Sequence, residues 1–473
     1  GQLLQALRRR QVGLRRKCAF CPFCVQFVDQ LERRGLTRIV MNQHVAAPSM
    51  ERFAGFRPDP GSGPCYQCCF SAGHVLFTQT HLQSMPRNSL PEPPEDLKPL
   101  SEELCARMRS NLDEDGLIPF SRFMEMALYE PGLGYYSAGL HKLGPSGDFV
   151  TSPELGSLFA ACLAGQVSEL ITELGACDIL EIGAGTGRMA IDLLESLPVE
   201  HLPERYLILE RSADLREVQR QQIGRREDLL QRVEWLDEPP AEAWQGVLLA
   251  NEVLDALAVE RFRQGENGIE QMCVRATGNG LSWGFRPAPP ELKKAVARIA
   301  PHTGGEFRTG YRSEINLRLE PWLRSVTASM RRGLALFIDY GYPRREYYLA
   351  ERSDGTLMCH YRHHAHDDVF FWPGLQDITA WVDFTALAEA ADACGLDVEG
   401  YTSQTMFLLG CGLDRLLMDH STTSEDGGVA ISAEARQLTL PGMMGEKFQV
   451  MGLGRGLDTP LRGFSLQDLR HRL

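Results

Sequence analysis

No stretch of the chain reaches about 18 consecutive apolar residues, so the sequence offers no candidate membrane span. It also lacks an excess of positive charge, because 49 Lys and Arg stand against 62 Asp and Glu, a net charge of −13. An acidic protein is not attracted to nucleic acid by its overall charge, and a cationic peptide or protein suits it better as a partner. The composition, 43% hydrophobic and 23% charged, excludes a disordered or fibrous chain.

The cysteines do not form the pattern of a disulfide framework. Seven of the 13 are scattered singly through the body of the chain, which is typical of a protein from a reducing compartment. The other six lie in the first 69 residues, at Cys18, Cys21, Cys24, Cys65, Cys68 and Cys69. Two CxxC pairs can bind zinc or an iron–sulfur cluster, but their separation is about twice that of a common zinc ribbon. The sequence therefore favours a poorly structured extension in which these cysteines are incidental.

The charge of the chain changes sign near residue 84. Residues 1–84 carry 11 Lys or Arg against four Asp or Glu, whereas the rest is strongly acidic. The Arg-rich opening is compatible with a transit peptide or a basic amphipathic helix. Met85 then precedes a Pro-rich linker over 85–99, and we expect the working protein to begin near Met85.

The body of the chain alternates helical and strand patterns. Helices are predicted from Ser101, over about 121–129, from Pro153, after the glycine-rich turn at 183–187, and over 383–396. Apolar strands are predicted at 178–182, 206–210, 232–236, 246–253 and 333–342, with a late strand at 405–413. Apolar strands separated by helices indicate an α/β fold with a mostly parallel, doubly wound sheet.

An irregular insertion interrupts this alternation between about Ala256 and Met330. Residues 259–264 and 271–285 alternate like antiparallel strands, and Gly278-Asn279-Gly280 is typical of a hairpin turn. We therefore predict an α+β insertion between the fourth and fifth strands.

The strongest motif is Glu181-Ile-Gly-Ala-Gly-Thr-Gly187, which follows a strand and opens a helix. Its glycines, Gly183, Gly185 and Gly187, let the backbone turn sharply beside a ligand. A dinucleotide fingerprint requires a further glycine at 188, where this chain has Arg188. The loop therefore favours S-adenosylmethionine over a nicotinamide dinucleotide.

Acidic residues at strand ends complete the predicted cofactor site. Glu210 ends the second strand, where a carboxylate accepts hydrogen bonds from ribose hydroxyls in either cofactor class. Asp237, just after the third strand, is a candidate for the adenine edge, although a solvated loop residue is an equal alternative.

Asn251, Glu252 and Asp255 follow the fourth strand, at the sheet edge where α/β proteins bind ligands. Two acids and an amide there suit a cationic group beside a reactive methyl. The alternative is helix capping, with Asn251 as the N-cap and the acids facing the helix dipole.

At these residues the chain resembles the MidA-like family of S-adenosylmethionine-dependent methyltransferases, over about residues 100–415. The segments that carry the resemblance are YEPGLGYYSAG, GDFVTSPELGSLF, ILEIGAGTGRMAIDLL, NEVLDALAVERF, LALFIDYGY, GTLMCHYRHHAHDD and PGLQDITAWVDFTAL. Ala258 stands where the family usually has proline. The family includes the mitochondrial methyltransferase that assists complex I assembly.

The resemblance implies a class I, Rossmann-like methyltransferase fold with a helical N-terminal part. The implied organisation is an extension over 1–84, a linker over 85–99, a helical part with the GDFVTSPE loop over 100–175, a cofactor-binding core over 176–255, a substrate region over 256–330, the rest of the core over 331–415 and a C-terminal extension over 416–473.

It also implies methyl transfer to a protein arginine. A guanidinium is always protonated and needs carboxylates to hold it and to help remove its proton. Glu252 and Asp255, with Asn251, are the leading candidates, and Asp148 and Glu154 of the GDFVTSPE loop form the next pair. By the resemblance, Asp148 lies over the cofactor. Asp339 and Tyr340 at the end of the fifth strand are further candidates to face the pocket.

Other functions remain open at this stage. They are an assembly chaperone that keeps the fold, a nucleotide-dependent oxidoreductase and a methyltransferase acting on a small molecule. The histidines between His360 and His366 resemble metal ligands, but substrate contacts or a surface loop are preferred, and no metal is expected. We expect a protein substrate, no nucleic acid and possible homodimers, in the bacterial cytoplasm, with the mitochondrial matrix as the alternative.

Overall fold

A computed structural model describes residues 90–138, 151–278, 280–303, 305–421 and 425–473. Its strands are β1 (Leu117–Pro119), β2 (Asp178–Ile182), β3 (Tyr206–Leu209), β4 (Val233–Leu236), β5 (Trp244–Asn251), β6 (Glu260–Gly265), β7 (Gly268–Thr277), β8 (Gly280–Pro287), β9 (Arg312–Ile315), β10 (Met330–Tyr342), β11 (Met358–Tyr361), β12 (His364–His366), β13 (Asp377–Thr379), β14 (Val382–Asp383), β15 (Asp397–Ser403) and β16 (Phe448–Arg455). Its α-helices are α1 (Lys98–Ser110), α2 (Phe120–Tyr129), α3 (Ser152–Leu155), α4 (Leu158–Leu174), α5 (Arg188–Ser196), α6 (Ala213–Ile223), α7 (Glu227–Leu230), α8 (Pro290–Ile299), α9 (Leu319–Thr327), α10 (Arg344–Tyr347), α11 (Phe384–Ala393), α12 (Gln404–Gly410), α13 (Leu413–Ser421) and α14 (Glu425–Thr439). No helix among the described residues is long and apolar enough to cross a membrane.

The central sheet has the order β15-β16-β10-β5-β2-β3-β4, with β14 added beside β10. The five strands from β10 to β4 are parallel, as the sequence predicts. Their apolar runs are buried on both faces, where α4 and α5 pack on one side and α9 and α11 on the other. Each fully buried Leu or Phe contributes roughly 1.5–3 kcal/mol, so this double layer carries most of the hydrophobic stabilisation.

Two features at the far side of the sheet correct the sequence-based prediction. The predicted strand over 405–413 is helix α12, whose first turn is capped by the Ser403 hydroxyl. A short apolar run fits a buried strand and a buried helix equally well, which explains the error. The residues over 416–473, predicted as a C-terminal extension, are part of the core. Their strand β16 lies inside the sheet, antiparallel to both β10 and β15.

The insertion and the N-terminal part of the chain together form a second sheet. The order is β1-β7-β6-β9, with β8 paired to β7, and every pair is antiparallel. The predicted hairpin over 271–285 is confirmed as β7 and β8. Strand β1 comes from the N-terminal part, so that part and the insertion form one layer with a common core that includes Phe123, Val274 and Ile378.

The helix predicted from Pro153 is divided into α3 and α4. The backbone N–H of Leu158, at the start of α4, donates to the Glu434 carboxylate of α14 at 2.8 Å. This contact ties the segment after the GDFVTSPE loop to the C-terminal helices, which again makes residues beyond 415 part of the core.

Candidate active site

A cavity of about 190 Å³ lies at the carboxyl ends of β2, β3, β5 and β10. This is the edge at which open parallel sheets bind ligands. The second layer faces it with Tyr129 and Tyr136 from the N-terminal part and with His360, Asp377 and Thr379 from the small sheet of β11 to β13. The central sheet therefore forms one side of the cavity. The other side is formed by the second layer and the small sheet, which together are called the added layer.

The glycine loop between β2 and α5 forms the sheet side of the cavity. Gly183, Gly185 and Gly187 have φ values of 66°, 55° and 85°, in the left-handed region that favours glycine. Gly183 and Gly185 line the cavity, but Gly187 does not. A Cβ at Gly187 would approach Ile223 and Gln219 of α6 at 3.3 and 3.4 Å, so this glycine allows helix packing instead.

Two of the predicted acids line the cavity beside this loop. The Glu210 carboxylate accepts hydrogen bonds from the Ser212 N–H at 2.9 Å and from Gln219 Nε2 at 3.3 Å, and burial raises its pKa. Glu181 accepts from the Tyr206 hydroxyl at 2.6 Å, and burial raises its pKa to about 7. Glu210 is thus held at the end of β3, where a ribose is expected.

Of the other two predicted cofactor residues, the structure describes only Asp237. Asp237 is not among the residues that line the cavity, and its largely exposed carboxylate pairs with Arg216 Nη2 at 2.6 Å. A contact between Asp237 and the adenine therefore stays a prediction. Asp148 lies outside the described residues.

The three predicted catalytic residues meet in a turn after β5. No helix follows Asn251, which excludes the capping alternative. Glu252 has a φ of 53°, unusual for a residue with a side chain, and its carboxylate accepts from Asn251 Nδ2 at 3.2 Å and from the Ser152 N–H at 3.3 Å. Asn251, Glu252 and Asp255 all line the cavity.

The acids of this turn are held away from bulk water among other acids. Burial, and then the charge of Asp339, raise the pKa of Glu252 to about 8. The same two causes, followed by Asp377, raise the pKa of Asp255 well above its usual range. Among the described residues, no ion pair with Lys or Arg involves Glu252, Asp255 or Asp339. The turn is therefore an acidic wall that a cation can neutralise.

Residues from the added layer complete the wall. From the sequence, Tyr136 was equally compatible with lining the pocket and with core packing, whereas Tyr129 and Asp377 were not assigned to the site. The Tyr136 hydroxyl donates to Asp377 Oδ1 at 3.1 Å, and the Tyr129 hydroxyl donates to the Ala256 carbonyl at 3.0 Å. The two rings stack with centroids 5.5 Å apart. The only signal in the sequence was their place in two segments that carry the family resemblance, YEPGLGYYSAG and PGLQDITAWVDFTAL.

The histidine segment forms a hairpin of β11 and β12. Only His360 of this segment lines the cavity, and burial lowers its pKa to about 4. In the part of the chain that is described, no group of three or more His, Cys, Asp or Glu side chains is placed to hold a metal ion. The cysteines at 18–69 fall outside the described residues.

The cavity fits S-adenosylmethionine. Left-handed glycines leave room beside Gly183 and Gly185, Glu210 offers a carboxylate for ribose hydroxyls, and the buried Asn251 Oδ1 has no hydrogen-bond partner in the protein. An orphaned buried acceptor on a cavity wall indicates a donor on the bound ligand.

Comparison with known proteins gives the same assignment. Residues 162–402 match the family model described as "Putative S-adenosyl-L-methionine-dependent methyltransferase". A protein from Burkholderia thailandensis, crystallised with S-adenosyl-homocysteine, is 40% identical, with a TM-score of 0.77 over 81% of this chain and 100% of that one.

Curated relatives are more distant. The mitochondrial protein arginine methyltransferase NDUFAF7 of Danio rerio is 26% identical over 74% of this chain and 86% of its own length. Its Drosophila melanogaster homologue is 24% identical over 76% and 88%. The fold, the cavity and these matches together show that the chain belongs to the family of S-adenosyl-L-methionine-dependent methyltransferases.

Proposed function

We propose that this enzyme methylates an arginine side chain of a protein acceptor. The observation that carries the proposal is the acidic wall formed by Glu252, Asp255 and Asp377, backed by Asp339. Several carboxyl groups that raise one another's pKa are stabilised most by a cation that displaces their protons. A guanidinium supplies that charge together with several donors in one plane.

Bound S-adenosylmethionine supplies the methyl group, on a sulfonium. The protein's part is to orient the acceptor nitrogen and to exclude water from it. Glu252 and Asp255 bind the guanidinium by charge-assisted hydrogen bonds, and one of them accepts the proton that the nitrogen loses as it gains the methyl. The stacked rings of Tyr129 and Tyr136 give the acceptor side chain a flat apolar boundary.

The curated relatives support this choice of acceptor, since they are named protein arginine methyltransferases. Those relatives are also named mitochondrial, which supports the matrix alternative, whereas the solved relative comes from a bacterium. We propose the bacterial cytoplasm as the location of this enzyme.

Transfer of labelled methyl groups in a lysate tests the proposal. The full chain is incubated with S-adenosylmethionine carrying a labelled methyl group and a lysate from cells that lack this gene. We expect label in a small number of proteins, recovered as methylarginine after hydrolysis.

Two variants make the test specific. Glu252→Gln should bind the cofactor but transfer at least ~100-fold less label, because it cannot take the guanidinium proton. Glu266→Gln, the same change at an exposed position between β6 and β7, should behave as wild type. Label in a small molecule, or in protein as another methylated residue, would contradict the arginine assignment.

A further inference from the structure

The acidic wall depends on a turn that leaves the central sheet abruptly. Asn251 is the last residue of β5 in register with β10, opposite Ile338. The Glu252 N–H still donates to the Ile338 carbonyl at 2.9 Å, but its left-handed φ directs the following residues out of the ladder. The amides of Val253, Leu254 and Asp255 therefore need acceptors other than a strand.

The carboxylate of Asp339 accepts all three of these amides. Its Oδ2 atom lies 3.2 Å from Val253 N, 2.8 Å from Leu254 N and 3.2 Å from Asp255 N, while Oδ1 accepts from Tyr340 N at 2.8 Å. Asp339 is only 1% exposed and is not among the residues that line the cavity. It thus acts on the site through the backbone of the turn.

The position of Asp339 is itself fixed by strand β10. This strand is paired with β5 from Met330 to Ile338 and with β16 from Gly333 to Tyr340, where Asp339 is in register with Gln449. A rigid strand therefore carries the acceptor, and the strained turn is held against it.

A neutral amide oxygen could accept the hydrogen bonds of these three backbone amides as well as a carboxylate does. A carboxylate is costlier there, because Asp339 is buried and its charge acts on Glu252 and Asp255. The charge of Asp339 opposes ionisation of the two wall acids until a cation arrives, which a cap alone does not require.

We propose that Asp339 is a positioning residue, which holds the strained turn at Glu252–Asp255 through three backbone amides and makes the two wall acids selective for a cationic acceptor by its negative charge. The part that concerns the acceptor rests on the proposed function.

Two variants separate the two effects. Asp339→Asn keeps an acceptor oxygen but removes the charge, and Asp339→Ala removes both. Asp178→Asn is the matched control, since Asp178 is a buried acid at the opposite end of the sheet, paired with Arg205 at 2.6 Å.

The first measurement is hydrogen exchange of the peptide over 252–256 in the full chain. Asp339→Ala should exchange at least about tenfold faster than wild type, Asp339→Asn much less so, and Asp178→Asn as wild type. Unchanged exchange in Asp339→Ala would overturn the proposal.

The second is the pH dependence of label transfer, at subsaturating amounts of the protein fraction that accepts label from wild type. In Asp339→Asn the acidic limb of the rate profile should move about one pH unit lower, since the wall acids lose a charged neighbour. A merely structural role would lower the rate at every pH and leave the limb in place, and that outcome would also overturn the proposal. If wild type labels no protein at all, the proposed function fails, and the exchange measurement alone decides on the turn.

Discussion

Protonation of single carboxyl groups decides what the acidic wall attracts. Burial and the charges of Asp339 and Asp377 raise the pKa of Glu252 and of Asp255, and His360 beside them stays neutral because burial lowers its pKa to about 4. The empty wall therefore holds protons near neutral pH and exchanges them for a cation. Binding of a cation at this site is therefore coupled to the release of protons.

The pH profile of methyl transfer follows from these values. We expect kcat/KM for the protein acceptor to rise between about pH 7 and about pH 8, the pKa values of Asp339 and Glu252 in the free enzyme, and to level off above. Below this range the acids are protonated and cannot hold a guanidinium. Initial rates of label transfer across this range measure the effect, and a profile flat through it would contradict the assignment of these acids.

Substitution of Glu252 should stabilise the enzyme that it inactivates. The carboxyl keeps its proton up to about pH 8 in the folded state but loses it near ~4.3 when unfolded. The free energy of unfolding of wild type therefore falls as pH rises through this window. We expect Glu252→Gln to be more stable than wild type by about 1–3 kcal/mol near pH ~9 and equally stable near pH ~4, by thermal melting. If the two proteins differed in stability by the same amount at both pH values, the charge of Glu252 would not destabilise the folded state.

At the scale of elements, helix α6 connects the two halves of the predicted cofactor site. Gln219 Nε2 donates to the Gly185 carbonyl at 3.0 Å and to the Glu210 carboxylate at 3.3 Å, while its Oε1 accepts from Trp235 Nε1 at 2.9 Å. One buried side chain thus joins the glycine loop, β3 and β4.

Loss of this link should weaken cofactor binding without unfolding the protein. Gln219→Leu keeps the size of the side chain but removes three hydrogen bonds. We expect it to weaken the binding of S-adenosylmethionine by about 1–2 kcal/mol, which calorimetry would measure as a roughly 5–30-fold higher Kd. Gln221→Leu, an exposed change on the same helix, is the control. Equal Kd values for the two variants would refute the link.

The elements also show which parts of the fold the sequence could reveal. The strands from β2 to β10 and the glycine turn are local patterns, and their order along the chain determines their common edge. Asp377 and Tyr129 carry no local pattern, because they reach the cavity through the packing of a second layer. The ion pair of Asp237 with Arg216 likewise depends on tertiary contacts that the sequence does not reveal.

At the scale of the whole molecule, the body of the chain supplies the described part of the cavity. Its lining begins at Tyr129 and ends at Thr379. We expect a chain that starts at Met85 to bind S-adenosylmethionine with a Kd within about threefold of the full chain and to melt within a few degrees of it. Calorimetry and thermal melting of the two chains provide the comparison, and a larger loss would assign residues 1–84 a part in the site or in the fold.

The place of β16 has a consequence for synthesis on the ribosome. Every other strand of the central sheet precedes Phe448, yet β10 and β15 meet only through β16. A nascent chain that has not reached this strand presents the outer edge of β10, from Gly333 to Tyr340, unpaired and apolar. A nonsense mutation between codons 415 and 448 would spare every described residue that lines the cavity. Its product would still aggregate, because β16, an interior strand of the sheet, is translated last.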